Sequence, residues 1–190
     1  MGTNSLMSNI KELTMDHHRA AERCGFVKVL LSGNINPKLY ATFLWNQYLK
    51  YSELEKLGQD YKMFTDIETV KRRNMIYADF IELWNTEEDP ITLPSTNEYI
   101  SHIRTLGNKQ HIFAHIYVHH MGDLSGGQII AKRVPGSVRM YSFQGDANEL
   151  KNRIRSKTTD DMAPEAGVAF QFAIKQFEEL LDLDIAHYTE

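Results

Sequence analysis

The stretch that decides the fold is Gly122-Asp123-Leu124-Ser125-Gly126-Gly127-Gln128. It continues a segment of helical pattern that carries the polar rings His111, His115, Tyr117, His119 and His120. Glycine in a helix interior costs about 0.5–1 kcal/mol relative to alanine, so three glycines this close together indicate a local requirement. A backbone without Cβ atoms allows close approach by another group. The stretch therefore predicts a surface for something flat and bulky, next to a carboxylate.

Composition limits what that group can be. The chain has 190 residues, 42% of them hydrophobic, which suits one domain over residues 1–190. A net charge of −4 argues against nucleic acid or an anionic membrane as partner. The single cysteine, Cys24, excludes an intrachain disulfide and fits a reducing compartment. With no signal peptide and no apolar run near the roughly 18 residues of a membrane span, we expect a soluble, cytoplasmic protein whose first few residues are disordered.

The hydrophobic pattern is helical along the whole chain, and no segment alternates as a strand would. Apolar residues recur at helical spacing from Ile10 to Cys24, and Gly25 is expected to end that helix. Ser95 is expected to cap a later helix, with Glu98 completing a capping box. The other predicted helices cover residues 37–57, 67–84, 109–133, 146–157 and 164–183. The predicted fold class is all-α, with a single domain.

Three interpretations compete for the glycine-rich helix. At about 100° per residue, one face of it collects His115, His119, Gly122, Asp123 and Gly126. Repeated i+4 spacing of histidines and an aspartate suits a metal, but the stripe rotates by about 40° per step, away from a single ion. The segment 124–128 also matches the signature loop of ABC transporter ATPases, yet the chain lacks the phosphate loop those enzymes need. The third interpretation is a planar cofactor lying against the glycines.

Here the chain resembles the heme oxygenase family, whose distal helix carries a similar GDLSGGQ segment after an AHxY element, matched by residues 114–117. The likeness continues through residues 10–14 with His18 and Glu22, Tyr48 and Tyr51 with Glu55, the segment 150–155, and residues 169–170 and 177–180. It implies a heme oxygenase-like helical bundle with heme b between a proximal and a distal helix. It also implies oxidative opening of heme at a meso carbon, expected to be α, to biliverdin, CO and ferrous iron, using O2 and external electrons.

The resemblance implies His18 as the axial ligand of the heme iron, through Nε2, with Glu22 orienting the other ring nitrogen. Helical periodicity centres the apolar stripe near His17 instead, which suits a core residue. On the distal side, Asp123 matches the residue that holds a proton-donating water, Gly122 and Gly126 admit the ring, and Tyr51 joins the network. Further implied heme-binding residues are Lys11, Tyr117, Gly127, Lys151, Arg155 and Phe170.

Two departures from the family pattern concern the distal network. His119 stands where many relatives have arginine, and His120 where tyrosine is common. Because histidine titrates near neutrality, we expect His119 to make turnover sensitive to pH. Met15 replaces a second propionate-binding lysine of some relatives, which bears on regiochemistry.

The expected partners are ferredoxin or another reductase as electron donor, and a downstream bilin reductase. The role is heme catabolism, bilin pigment synthesis or iron acquisition. The alternative function is a heme carrier or sensor that uses the same pocket without turnover.

Overall fold

The computed structural model describes the backbone of residues 7–187 and the side chains of residues 7–184. The expected disorder of the first few residues therefore concerns a segment outside the described range. Within that range the regular structure is helical and contains no strand, which confirms the all-α prediction. The α-helices are Ile10–Leu13 (α1), Met15–Glu22 (α2), Gly25–Leu31 (α3), Pro37–Asp60 (α4), Arg73–Leu83 (α5), Pro94–Arg104 (α6), Lys109–Leu124 (α7), Gly127–Ile130 (α8), Ala147–Ser156 (α9) and Ala163–His187 (α10).

Local capping signals set the start of several helices where the sequence predicts them. The side chain of Asn36 accepts hydrogen bonds from the backbone of Lys38 and Leu39, and Pro37 occupies the first helical position of α4. At α9, the side chain of Asp146 accepts a hydrogen bond of 2.9 Å from the backbone of Glu149. Such caps satisfy amide groups that lack a partner inside the helix.

The predicted helix over residues 109–133 is wrong beyond Leu124, where the chain leaves the helix before α8 begins. Helix α7 ends at Leu124 because Ser125 leaves the helical region, with φ −113° and ψ −93°. The side-chain amide of Gln128 donates to the backbone carbonyls of Asp123 (3.0 Å) and Tyr141 (2.8 Å). The carbonyl of Asp123 thereby gains a partner where the helix stops, and the chain turns into the short helix α8.

The first predicted helix and the one over residues 67–84 also need correction. Thr14 interrupts the first, with φ −109° and ψ 5°, and separates α1 from α2. Gly25 begins α3 instead of only ending a helix, because the residue before it, Cys24, is extended. In the second segment a single 3-10 turn covers Glu68–Val70, and α5 begins only at Arg73.

The predicted capping box at Ser95 is wrong for a tertiary reason. Helix α6 already begins at Pro94, and Ser95 uses both its backbone amide and its hydroxyl to bind the carboxylate of Glu179 on α10. Glu98 pairs with Lys175, also on α10. Both polar side chains expected to cap α6 therefore tie it to α10.

Helices α4 and α10 organise the packing. Helix α4 packs against α5, α6 and α7, while α10 packs against α2, α3, α6 and α7. Two hydrophobic clusters fill the interior, and α4 contributes to both, with Leu54 in one and Leu39, Leu44 and Tyr51 in the other. Because α10 contacts both α2 and α7, it connects the two helices that carry the candidate site.

Candidate functional site

The titratable side chains near the end of α7 are buried. His115, His119, His120 and Asp123 are each at most 8% exposed, whereas the intervening Gly122 is exposed. The helix therefore presents bare backbone outward at Gly122 and holds its titratable side chains inside. Asp123 is not the solvated surface carboxylate that an isolated aspartate on a helix would ordinarily be.

The carboxyl group of Asp123 accepts a side-chain hydrogen bond from α4. The hydroxyl of Tyr51, on α4, donates to its Oδ2 at 2.7 Å. Burial raises the pKa of Asp123 to about 7, against the lowering effects of His120, this hydrogen bond and Arg72. At neutral pH the carboxyl group is therefore present in both protonated and ionised forms, which suits a group that gives and takes a proton.

The three glycines of the stretch serve two different purposes. A Cβ placed on Gly122 or Gly126 would meet no atom of the chain within 4 Å, so the fold itself does not require glycine at either position. A Cβ on Gly127 would lie 2.6 Å from the ring of Tyr141. Gly127, predicted to bind the cofactor, is thus buried against Tyr141, and the open glycine face consists of Gly122 and Gly126.

His18 and His17 lie in different surroundings. The side chain of His17 lies against α10, where a Cβ on Gly167 would come within 2.9 Å of its Nε2. His18 has 49% of its side chain exposed, and its ring meets the ring of Phe170 edge to face, with centroids 5.8 Å apart. His17 therefore packs between helices, while His18 remains accessible to a ligand.

The role predicted for Glu22 needs correction. Its Oε1 lies 2.7 Å from Nε2 of His18, the nitrogen expected to bind iron, and not from the other ring nitrogen. In this structure the imidazole therefore donates Nε2–H to Glu22. Before Nε2 binds a metal, it must leave Glu22 and lose that proton.

His119 does not titrate near neutrality as expected. Burial, followed by the positive charge of Lys50, lowers its pKa well below the ordinary value. Its Nε2 is buried and has no hydrogen-bond partner, and its ring lies beside those of Tyr51 and Tyr99. His119 is therefore neutral at neutral pH, so it is not the source of any pH sensitivity there.

Lys50 is a functional candidate that the sequence analysis missed. It is 2% exposed, donates to Oε1 of Gln176 at 3.1 Å, and lies 4.9 Å from the ring centroid of Tyr99. Burial lowers its pKa to about 7, and the carboxylate of Asp123 opposes this. The sequence did contain an indication of this burial: helical spacing places Lys50 on the same face of α4 as Phe43 and Leu54, which are apolar and buried.

A second buried pair lies behind Asp123. Nε2 of His120 is 3.0 Å from Oε2 of Glu55, and the same carboxylate accepts the backbone amides of Arg72 (2.8 Å) and Arg73 (3.1 Å). Glu55 also lines a surface cleft of about 790 Å³ that includes neither His18 nor the open glycines. His120 is therefore fixed through Glu55 to the start of α5.

The residues predicted to bind heme propionates are spread over three helices. Lys11 on α1 is exposed, and Lys151 and Arg155 on α9 are half-buried. Tyr117 on α7 is 8% exposed; burial raises its pKa and the nearby charge of Arg155 opposes this. Helices α7 and α9, which carry Tyr117 and Arg155, pack against each other, whereas Lys11 lies on α1.

The histidine stripe along α7 does not form a metal site. His115 points to Glu165 on α10, His119 has no partner at Nε2, and Asp123 is bound by Tyr51.

A membrane-spanning helix must be both long and apolar, and none of the helices in the described part of the chain meets both requirements.

Fold and site together define an all-α protein with a bare glycine surface for a flat ligand, a buried carboxyl group beside it and an exposed imidazole on another helix. The chain belongs to the heme oxygenase family, because the family model described as heme oxygenase matches residues 4–179. That assignment confirms the resemblance seen in the sequence and identifies the chain as an oxidoreductase. Heme is therefore the flat ligand that this site is expected to fit.

Individual relatives agree with this assignment. A heme oxygenase from Porphyra purpurea is 30% identical over 93% of this chain and 87% of its own length. The structure of heme oxygenase-1 from Synechocystis in complex with heme superposes with a TM-score of 0.83, over 93% of this chain and 92% of that one, at 24% identity. Heme oxygenase from Leptospira interrogans gives a TM-score of 0.80 at 25% identity, over 90% and 97% of the two chains.

Proposed function

We propose that this protein opens heme at a meso carbon, the α carbon, and releases biliverdin, CO and ferrous iron. The observation that carries the proposal is the position of Asp123. Its buried carboxyl group is held by Tyr51 and directly follows Gly122, where the backbone is exposed and nothing occupies the place of a side chain. A ligand on this surface lies next to a group that can supply a proton.

The residues present fit heme. Open space at Gly122 and Gly126 accepts a flat ring, since any Cβ there would point into it. His18 offers an accessible imidazole, with the ring of Phe170 beside it. When bound, heme supplies the iron at which O2 is reduced, and heme is also the substrate whose ring is opened.

The residues of the proposed heme site then have separate roles. The imidazole of His18, once it has left Glu22, would hold the iron. Asp123 would hold a water molecule and donate a proton through it, and Tyr51 keeps the carboxyl group in place. Its pKa of about 7 lets Asp123 regain the proton from solvent between steps. Arg155, Lys151 and Lys11 are proposed to pair with the heme propionates.

The reaction needs electrons from outside the chain. We propose ferredoxin or another reductase as the donor, a bilin reductase as the enzyme that receives the product, and the cytoplasm as the location. The single cysteine supports a reducing compartment. The proposed electron donor is tested by comparing the turnover rate with reduced ferredoxin and the turnover rate with ascorbate.

A single experiment separates turnover from mere heme carriage. Hemin is added to the protein, a reductant is supplied under air, and the visible spectrum is followed. We expect the heme band to decay and biliverdin to form, with chromatography giving the α isomer. Asp123→Ala should bind heme and form little biliverdin, whereas the control Asp89→Ala, in an exposed loop, should behave as the parent. A heme band that persists in the parent would favour a carrier.

The proximal assignment needs its own readout. His18→Ala should lose the electron paramagnetic resonance signature of an axial imidazole on ferric heme, and His17→Ala should keep it. If His17→Ala loses the signature and His18→Ala keeps it, the ligand assignment is wrong while the catalytic proposal stands.

A further inference from the structure

Three side chains that the heme proposal does not use converge at one point. Oε1 of Glu165, on α10, lies 2.7 Å from Nε2 of His115 on α7 and 2.5 Å from Nε2 of His102 on α6. These ligand atoms all lie within 4.8 Å of one another, and no other group of this kind occurs among the described residues. Three separate helices therefore each contribute one metal-binding type of atom to one place.

The chemistry of the group matches a divalent transition metal. Two imidazole nitrogens and one carboxylate oxygen form a ligand set that zinc uses in proteins, and imidazole also suits iron, copper and nickel. The exposed fractions of the three side chains are 0% for His115, 14% for Glu165 and 29% for His102. The site is thus closed on the side of His115 and reachable on the side of His102.

Neighbouring hydrogen bonds orient His115 and Glu165 for binding a cation. The hydroxyl of Tyr99 lies 2.9 Å from Nδ1 of His115. This hydrogen bond fixes the orientation of the ring and leaves Nε2 as the nitrogen that faces the site. Oε1 of Glu165 lies within hydrogen-bonding distance of both Nε2 atoms, so one carboxylate oxygen already faces both imidazoles.

We propose that His102, His115 and Glu165 bind one divalent transition-metal ion, separate from the iron of heme. The present distances are those of hydrogen bonds. With metal–ligand bonds of about 2.0–2.2 Å, the nitrogens and the oxygen must move apart by roughly 0.5–1 Å. Tyr99 then accepts the Nδ1 proton of His115 instead of donating one. Water completes the coordination, and the ion joins α6, α7 and α10.

The test uses Zn²⁺ and Co²⁺ with the heme-free, chelator-treated full chain. We expect one equivalent of Zn²⁺ to bind, and Tm to rise by roughly 5–10 °C at a hundredfold excess over Kd. Co²⁺ should give visible d–d absorption. In His102→Gln, which keeps a hydrogen-bond donor for Glu165, affinity should fall by at least about tenfold. The matched control His111→Gln, on α7 outside the group, should bind as the parent does.

The exposed pair His18 and Glu22 is a competing place for added metal. His18→Ala should therefore retain one equivalent of Zn²⁺, and so should the heme-loaded parent. A crystal soaked in Zn²⁺ should show an anomalous peak bonded to all three side chains. The proposal is overturned if the parent binds no Zn²⁺, if His102→Gln binds it as tightly as the parent, or if the peak lies elsewhere. None of these results depends on whether heme is turned over.

Discussion

The hydroxyl of Tyr51 on α4 donates a hydrogen bond of 2.7 Å to the carboxyl group of Asp123 on α7, and both side chains are buried. The two residues are 72 positions apart in the chain. Their contact links a helix that contributes to both hydrophobic clusters with the helix that bears the exposed Gly122. The orientation of the proposed proton donor is consequently set by the packing of α4 on α7.

Removing this hydroxyl should affect turnover and spare binding. In Tyr51→Phe, the carboxyl group of Asp123 loses the hydrogen bond from Tyr51, and a hydrogen bond to a charged group contributes about 1.5–3 kcal/mol. We expect heme affinity to stay within about twofold of the parent and the rate of biliverdin formation to fall by roughly 10- to 100-fold. Tyr48→Phe, on the same helix, is the control. Equal rates in both variants would show that the hydroxyl does not position Asp123.

Asp123→Asn should change how the stability of the heme-free protein depends on pH. The pKa of Asp123 is about 7 in the folded chain, against an ordinary value of 3.8. Between these values the folded state binds more protons than the unfolded state, so this group makes stability fall as pH rises. Asparagine does not ionise. The variant should therefore gain on the order of 4 kcal/mol over the parent above pH 8, and almost nothing near pH 4.

Urea unfolding at a series of pH values measures this difference. Asp16→Asn, an exposed position on α2, serves as the control and should follow the parent at every pH. A gain in Asp123→Asn that is constant across the series would mean that burial of the carboxyl group does not shift its pKa.

Lys50→Met should stabilise the protein at neutral and lower pH. The pKa of Lys50 is lowered to about 7, so below that pH an ammonium group is buried, and between about 7 and 10.5 only the unfolded state is protonated. Because methionine carries no charge to bury, the free energy of unfolding should rise by about 2 kcal/mol at neutral and lower pH. The gain should shrink as pH rises from 7 to 10. Lys56→Met, exposed on the same helix, should show no such trend in thermal unfolding.

The three glycines should respond differently to alanine. Gly122→Ala should stabilise the heme-free protein by about 0.5–1 kcal/mol, because alanine favours the helix and meets no neighbour. Gly126→Ala should leave the stability of the heme-free protein unchanged. Both variants should bind heme at least about tenfold more weakly, because the added methyl group keeps the ring from its close approach to the backbone. Gly127→Ala should destabilise the heme-free protein by about 1–3 kcal/mol, because its Cβ meets the ring of Tyr141.

Thermal unfolding without heme and hemin titration together distinguish these outcomes. The glycine surface is incorrectly assigned if Gly122→Ala and Gly126→Ala bind hemin as the parent does. The packing role of Gly127 is incorrect if its alanine variant unfolds at the parent's temperature.

Much of the helical pattern could be predicted because its signals are local. Asn36 and Pro37 begin α4, and Asp146 caps α9, through contacts within a few residues. The family assignment likewise followed from motifs read along the chain. Ser95 shows where this fails: its best partner is Glu179, which lies 84 residues away and cannot be found from a local pattern.

The sequence by itself determined an all-α chain, its family, the glycine stretch and the candidates His18 and Asp123. Only the tertiary structure decided that Gly127 packs on Tyr141, that Glu22 holds Nε2 of His18, and that Lys50 is buried. The reason is physical. A helix forms through bonds between residues four apart, whereas burial and proton affinity depend on which distant side chains exclude water around a group.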